Sequence, residues 1–318
     1  MSGEITGYLL AVLSMCIYGV YMSPKKLSGL TDSRFTFWMA CGIMVSAGVF
    51  YLTVPHEEKT DPVMACVSAA AGLVWATGSF AYTLSISRIE LTRSTPIKNL
   101  SSLFGLLLGM ACLSEGRGKS VFMICCICLS GLLITVGAWL LSRVGAVVEG
   151  KKLLSRSDYI SGCLLALWAA VGFSIYTVPM KLAFGSGMTP VSFLFFMSSG
   201  IFIGMTLLAV WAGWRPELSL FYENTLRHVP GKKAKSYAVS RLMALSSGLG
   251  LTLGQLLANY AVKLAGVAVV WPITKNSVAA VLFSAFVLKD VCWKSSPGKM
   301  FWGVLLCLAG IIVMAFGV

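Results

Sequence analysis

The sequence predicts an all-α polytopic membrane protein: ten transmembrane helices in two inverted five-helix repeats. Three observations lead there. Only 12% of the 318 residues are charged while 57% are hydrophobic, against about 25% charged in a soluble domain. Apolar runs close to the roughly 20 residues needed to cross a bilayer follow one another along the chain. The two halves also resemble each other at constant spacing.

The first run, 6–24, ends at Pro24-Lys25-Lys26. No Lys or Arg precedes Lys25, so it lacks the basic start of a signal peptide and is taken as a span. The second, 35–54, starts after Arg34 and stops before the polar stretch around His56. The third, 63–86, and fourth, 91–113, are separated by Arg88 and Glu90. The fifth, 121–141, lies between Lys119 and Arg143. A polar linker, 142–158, precedes the sixth, 159–182, and the seventh, 188–212. A long basic loop, 213–241, leads to the eighth, 242–262, the ninth, 266–288, and the tenth, 301–318. The domain plan is therefore a first repeat over 1–141, a cytoplasmic linker over 142–158 and a second repeat over 159–318.

The repeat is read residue by residue. Segments 7–27 and 162–182 align at an offset of 155, with eight of 21 positions identical, among them Gly7/Gly162, Tyr21/Tyr176, Pro24/Pro179 and Lys26/Lys181. Gly78/Gly254, Pro96/Pro272 and Ile97/Ile273 match at an offset of 176, with the extra length assigned to 213–241. An odd number of spans per half inverts the second half. Two inverted repeats around a central pathway are the usual plan of a secondary transporter.

The net charge of +13 would suggest nucleic acid in a soluble chain. Here the basic residues sit in short segments between apolar runs, which is a topology signal and excludes a nucleic-acid partner. With both termini non-cytoplasmic, 18 of the 25 Lys and Arg residues fall in inner loops and five in outer ones, with Lys98 and Lys275 inside spans. The partners implied are a small-molecule substrate and the lipid bilayer of the cell (inner) membrane. A homodimer is compatible with this plan.

Enzyme chemistry finds no support. Nine of the ten cysteines lie in apolar runs and act as small hydrophobes. Cys125, Cys126 and Cys128 have no nearby His, so no metal is expected. His56 and His228 lie in polar loops. Gly118-Lys119-Ser120 lacks the first glycine of a phosphate loop, since position 113 is Leu. Gly248, Gly250 and Gly254 follow no strand, and close helix packing explains them and the Gly105/Gly109 pair better. No HExxH or GxSxG occurs. No enzyme activity and no cofactor are expected.

The candidate substrate site comes from polar residues inside spans. Lys98-Asn99 follows Pro96, and Lys275-Asn276 follows Pro272, with a one-residue slip between the halves. Each Lys lies about 10–13 Å into its span. A charge at that depth is costly and belongs in a bundle interior or a watered cavity; the competing account is snorkelling to an interface. All twelve Asp and Glu lie outside the spans or at their ends. Pro96 and Pro272 each remove a helix hydrogen bond, so they are candidates for a gating break. Pro24 and Pro179 sit near span ends, where helix termination is expected. Gln255 and Asn259 share one helix face and, with Trp75 and Tyr82, complete the candidate set. Tyr21, Tyr176 and Trp271 offer further aromatic faces for a sugar ring.

The stretch Gly72-Leu-Val-Trp75-Ala-Thr-Gly78, followed by Pro96-Ile97 and by Glu115 at the close of the fourth span, resembles the drug/metabolite transporter superfamily. It is most similar to the glucose/ribose porter and rhamnose symporter branches. The Tyr18–Lys26 stretch, with its Pro-Lys-Lys, resembles the rhamnose symporter. The likeness implies transport of a small hydrophilic metabolite, a sugar or sugar derivative, by alternating access. The two buried lysines are foreign to the sugar-porter pattern, and Ser79 stands where the glucose branch has Gln or Asn. Organic-anion and sugar-phosphate carriers of the superfamily use basic residues in the cavity, so that alternative stays open. An amino-acid or drug exporter is a further one. A channel or a membrane scaffold is the alternative from outside transport by carriers.

The charge asymmetry predicts that a reporter fused to the C-terminus reads as non-cytoplasmic. A cytoplasmic signal there would sink the orientation.

Overall fold

The computed structural model describes residues 2–55, 61–112, 120–143, 155–212, 237–276, 278–283, 287 and 296–315. His56, His228, most of the linker 142–158 and most of the loop 213–241 lie outside the described residues. Among the described residues the regular elements are all helices. Seven helical segments are long and apolar enough to cross a membrane: Gly3–Ser28, Asp32–Thr53, Pro62–Leu91, Val121–Leu141, Arg156–Gly185, Pro190–Trp211 and Tyr237–Ala265. Pro297–Val313 is a shorter apolar helix. The chain is an all-α polytopic membrane protein.

Several of these rods are broken. α1 (Ser2–Val20) stops at Tyr21-Met22 and resumes as α2 (Ser23–Ser28). α7 (Arg156–Ile175) stops at Tyr176 and resumes as α8 (Thr177–Gly185). Pro24 and Pro179, expected to end helices, instead lie in the first turns of α2 and α8. The amides of a first turn have no intrahelical partner, so a proline costs nothing there.

α3 (Asp32–Thr53) and α9 (Pro190–Trp211) start alike. Gly29 and Gly187, at φ 69° and 94°, turn the chain, and Thr31 and Thr189 cap the helices with extended backbones. These pairs are 158 apart rather than 155. α8 has nine residues where α2 has six, so three residues of the extra length fall in α8 and not in the basic loop.

α4 (Pro62–Lys98) is two helices joined at a kink, which falls where the connection between the third and fourth spans is expected. One residue, Glu90 at φ 70° and ψ 160°, bends it. Between α10 (Tyr237–Ala265) and α11 (Val267–Thr274), Gly266 takes the same conformation, φ 82° and ψ 163°. The two positions are 176 apart, the offset of the Pro96/Pro272 pair. Glycine adopts this backbone freely, whereas a side chain there costs about 1–3 kcal/mol. A Glu90 carboxylate oxygen lies 3.2 Å from Lys26 Nζ, which ties the bend to α2.

The remaining helices are α5 (Ser101–Ala111), α6 (Val121–Ser142), α12 (Val278–Phe283) and α13 (Pro297–Ala315). Large apolar side chains such as Leu9, Leu52, Leu207 and Ile312 point outward, while Ser, Thr and the amides line the inside. Lipid is as apolar as leucine, so close backbone approach must hold the helices together. A Cβ on Gly72 would lie 2.0 Å from Met197 O, and one on Gly200 1.9 Å from Ala69 O, where α4 crosses α9. Gly42 and Gly248 do the same where α3 crosses α10, at 2.4 Å from Leu245 O and 2.3 Å from Met39 O. Gly105 gives way to the indole of Trp271, which a Cβ would meet at 2.1 Å. A concavity along α13, lined by Pro297, Met300, Phe301, Val304, Leu305 and Leu308, is apolar.

Glu90→Gly should make the protein more stable to heat in detergent. Relief of about 1–3 kcal/mol of strain outweighs a part-exposed ion pair worth about 0–1 kcal/mol. A lower unfolding temperature would show that the Lys26 pair, and not the backbone, governs the bend.

Candidate functional site

The site is built where helices stop inside the bundle. At the end of α4, Asn99 N–H donates to Thr95 O at 2.9 Å and Leu100 N–H to Ile97 O at 3.1 Å. At the end of α11, Lys275 N–H donates to Trp271 O at 3.0 Å and Asn276 N–H to Ile273 O at 3.1 Å. The two turns match at an offset of 176. Lys98 is thus the last residue of α4, Lys275 the cap of α11, and Asn99 holds the place of Lys275. Pro96 and Pro272 lie inside α4 and α11, two residues before each helix ends.

Both lysines are buried, at 4% and 6% exposure. They lie against aromatic rings rather than reaching an interface. Lys98 Nζ is 5.0 Å from the Tyr82 ring centroid and 5.8 Å from that of Phe173. Lys275 Nζ is 3.8 Å from Tyr18 and 5.0 Å from Trp271. Among the described residues neither has a carboxylate partner; the ion pairs there are Lys25–Asp32 and Lys26–Glu90.

Magnitudes show what is balanced. Insertion of a Lys at depth costs about 3 kcal/mol. A desolvated cation–π contact returns about 2 kcal/mol, and a helix C-terminus adds about 0.3–2 kcal/mol. Ring and helix end together are of the size of that cost.

Gln255 organises the other wall. Its Oε1 accepts from Tyr18 OH at 2.5 Å and from Tyr176 OH at 2.9 Å. Its Nε2 donates to Asn259 Oδ1 at 2.8 Å, and Asn259 Nδ2 reaches Pro190 O at 3.5 Å. Asn259 therefore faces α9 and joins Gln255 to the scaffold. Tyr82 OH and Thr95 Oγ1 are 2.7 Å apart. Trp75 packs on Phe173, ring centroids 4.9 Å apart, and Tyr176 meets Trp271 edge-on at 5.5 Å. Trp271 Nε1 is buried with no hydrogen-bond partner among the described residues.

Of the sequence candidates, Trp75, Tyr82, Lys98, Gln255 and Lys275 come together in this cluster, and Asn99 is buried at its edge. Asn276 turns away: its Nδ2 donates to Cys307 O at 3.3 Å and its Oδ1 accepts from Val278 N–H at 3.0 Å. It caps α12 and holds α13. Tyr18, Phe173 and Thr95 were not singled out from sequence. A signal existed, because Tyr18 and Phe173 are 155 apart, and each lies under one lysine.

No family model matches the chain, and no curated protein is similar to it. Among solved structures, one described only as the crystal structure of a protein aligns over 99% of this chain and 98% of its own, with a TM-score of 0.63 at 14% identity. At that identity the likeness shows the fold alone. This fold therefore extends over the whole of both chains.

Gln255→Ala strands two buried hydroxyls and should destabilise the protein by about 1–3 kcal/mol. Adding Tyr18→Phe and Tyr176→Phe removes those hydroxyls and should restore most of the loss. If thermal unfolding finds the triple variant no more stable than Gln255→Ala, the network does not rest on Gln255.

Proposed function

We propose that this chain is a secondary transporter of a small hydrophilic metabolite, a sugar or sugar derivative. It works by alternating access between two inverted five-span repeats, and both termini are non-cytoplasmic. The observation that carries the reading is the buried cluster of two lysines, an amide and aromatic rings at helices broken inside the bundle. Discontinuous helices that present polar groups in mid-membrane are how secondary transporters build substrate sites.

The ten-span plan takes α1–α2, α7–α8 and α11–α12 as single broken spans. It divides α4 at Glu90, so that residues 62–89 form one span and residues 91–98 continue into α5. Repeated contacts favour two related halves. The α3–α10 crossing at Gly42 and Gly248 recurs as the α9–α4 crossing at Gly200 and Gly72. Gly7 against Ala265 recurs as Gly162 against Ile89. Such pairing lets one half rock against the other around a fixed centre. Aromatic faces suit a sugar ring, and the amide and hydroxyl groups suit its hydroxyls. The sequence carries no nucleotide-binding motif, so transport would draw on an ion gradient, exchange or facilitation.

The test is uptake of a uniformly labelled hydrophilic metabolite extract into proteoliposomes preloaded with the unlabelled extract. A carrier accumulates a saturable set of species and is accelerated by the preload. Gln255→Ala should weaken apparent affinity several-fold, the size of a lost neutral hydrogen bond of about 0.5–1.5 kcal/mol. Flux that is unsaturable and indifferent to the preload would indicate a channel. No flux above protein-free vesicles would end the transporter reading.

A further inference from the structure

We infer that an anionic phospholipid binds where α3 and α10 begin, its phosphate held by Arg34 and Arg241 and its acyl chains laid along α3. The inference rests on the membrane-spanning fold and is independent of what the protein transports.

Each of the two helices contributes one cation and one aromatic residue four positions apart, and so on one face: Arg34 and Trp38 on α3, Tyr237 and Arg241 on α10. The four side chains interlock between the helices. The Arg241 guanidinium carbon lies 3.9 Å from the Tyr237 ring centroid and 4.8 Å from that of Trp38. The Arg34 guanidinium carbon lies 5.9 Å from the same Tyr237 centroid. These two distances to one ring bound the separation of the cations at about 10 Å. Trp38 and Tyr237 are packed against the hydrophobic core, so the rings give the guanidinium groups a fixed seat. A guanidinium stacked by its face keeps its in-plane N–H donors for another partner, and a phosphate takes such donors in bidentate pairs. The described carboxylates at this end are committed elsewhere, Asp32 to Lys25 at 2.6 Å and Glu90 to Lys26 at 3.2 Å.

Two features make the ligand a lipid rather than a dissolved anion. Arg34 and Trp38 head a stripe of α3 that continues at Val45, Val49 and Leu52, seven, eleven and fourteen residues past Trp38. Those three side chains are 65%, 50% and 84% exposed on a helix long and apolar enough to cross the bilayer, where they meet acyl chains. A cation and an indole at the end of such a stripe lie at headgroup depth, where amphipathic rings and Arg anchor a span. The sequence entering α10 also carries Lys232, Lys233 and Lys235, and basic residues beside a span draw anionic headgroups. A zwitterionic headgroup would bring its own cation against the two arginines. Arg34 lies eight residues before Gly42 and Arg241 seven before Gly248, at the crossing where the two backbones nearly touch. A phosphate bridging the arginines would clamp the helices about two turns from that crossing.

The test titrates the purified full chain, in neutral detergent, with phosphatidylglycerol or phosphatidylcholine of identical acyl chains. Bound lipid is counted by native mass spectrometry, and thermal unfolding is followed in parallel. Wild type should bind one phosphatidylglycerol about tenfold or more tightly than phosphatidylcholine, the scale of a charge-assisted hydrogen bond. Arg34→Gln and Arg241→Gln should each lose most of that preference, and the Arg→Lys variants should keep part of it, because an ammonium attracts phosphate without the planar fork. Tyr237→Leu, with both charges intact, should weaken it. Lys263→Gln, at the far end of α10, should leave it unchanged. Phosphatidylglycerol should raise the unfolding temperature of wild type and not that of the Arg34→Gln, Arg241→Gln double variant. Equal retention of the two lipids by wild type would overturn the inference, and that comparison needs no variant to fold. A preference that survives in the double variant, or one that falls equally in Lys263→Gln, would show attraction to net charge and not a site. Inorganic phosphate that stabilises wild type as well as phosphatidylglycerol does would make this a site for a free anion, and the lipid would be excluded.

Discussion

A helix that stops inside an apolar layer leaves backbone groups that only the protein can satisfy, and this constraint organises the interior. The chain meets it with small polar side chains borrowed from neighbouring helices. Ser247 Oγ donates to Tyr21 O at the α1–α2 break at 2.5 Å. Ser174 Oγ donates to Ser101 O at the α4–α5 break at 3.1 Å. Asn276 serves the α11–α12 break by accepting from Val278 N–H and donating to Cys307 O. Breaks in one half are thus held partly by residues of the other. With the backbone largely satisfied, what is left over at the centre is side-chain chemistry: two lysines and an indole donor.

Close glycine contacts allow that exchange between halves. A serine hydroxyl reaches a neighbouring backbone only if the two helices nearly touch. Ser14 Oγ reaches Gly254 O at 2.8 Å, and Ser85 Oγ reaches Gly162 O at 2.8 Å. Both acceptors are glycines at which a Cβ would press on the facing helix, Tyr18 at 3.1 Å and Ile89 at 2.4 Å. The small residues and the buried hydroxyls are therefore one device, and neither would hold the helices without the other.

The coarse fold and most of the cluster were legible in the sequence. Apolar runs and charge scarcity give the membrane class because they follow directly from the solvent. The lysines were legible because a charge inside an apolar run is costly and stands out from its neighbours. What stayed hidden depends on backbone geometry, to which hydropathy is blind. The tightness of the kink in α4, a single non-helical residue at Glu90, hid behind a charged pair that looks like a loop. Pro24 and Pro179 looked like terminators because a proline marks either edge of a break. Asn276 looked like part of the site because its carbonyl partner, on Cys307, is a backbone atom carrying no sequence signal. Tyr18 and Phe173 were concealed among many membrane aromatics, and only their shared repeat position separates them from packing residues.

That shared position carries the last step. The halves keep a common backbone at the breaks but exchange its chemistry: Lys98 stands opposite Thr274, Asn99 opposite Lys275, Ser79 opposite Gln255 and Thr83 opposite Asn259. On the transporter reading, this backbone pairing would supply the two nearly equivalent packings that a carrier needs to open to either side at similar free energy. The side-chain exchange breaks the equivalence at the centre. The amides and their paired tyrosines form one hydrogen-bonded group, and the Tyr82–Thr95 hydroxyls form another. A substrate held between them would meet different partners at each end and so bind in one orientation. On that reading, likeness in the scaffold and difference at the centre would be separate requirements, the first for movement and the second for recognition.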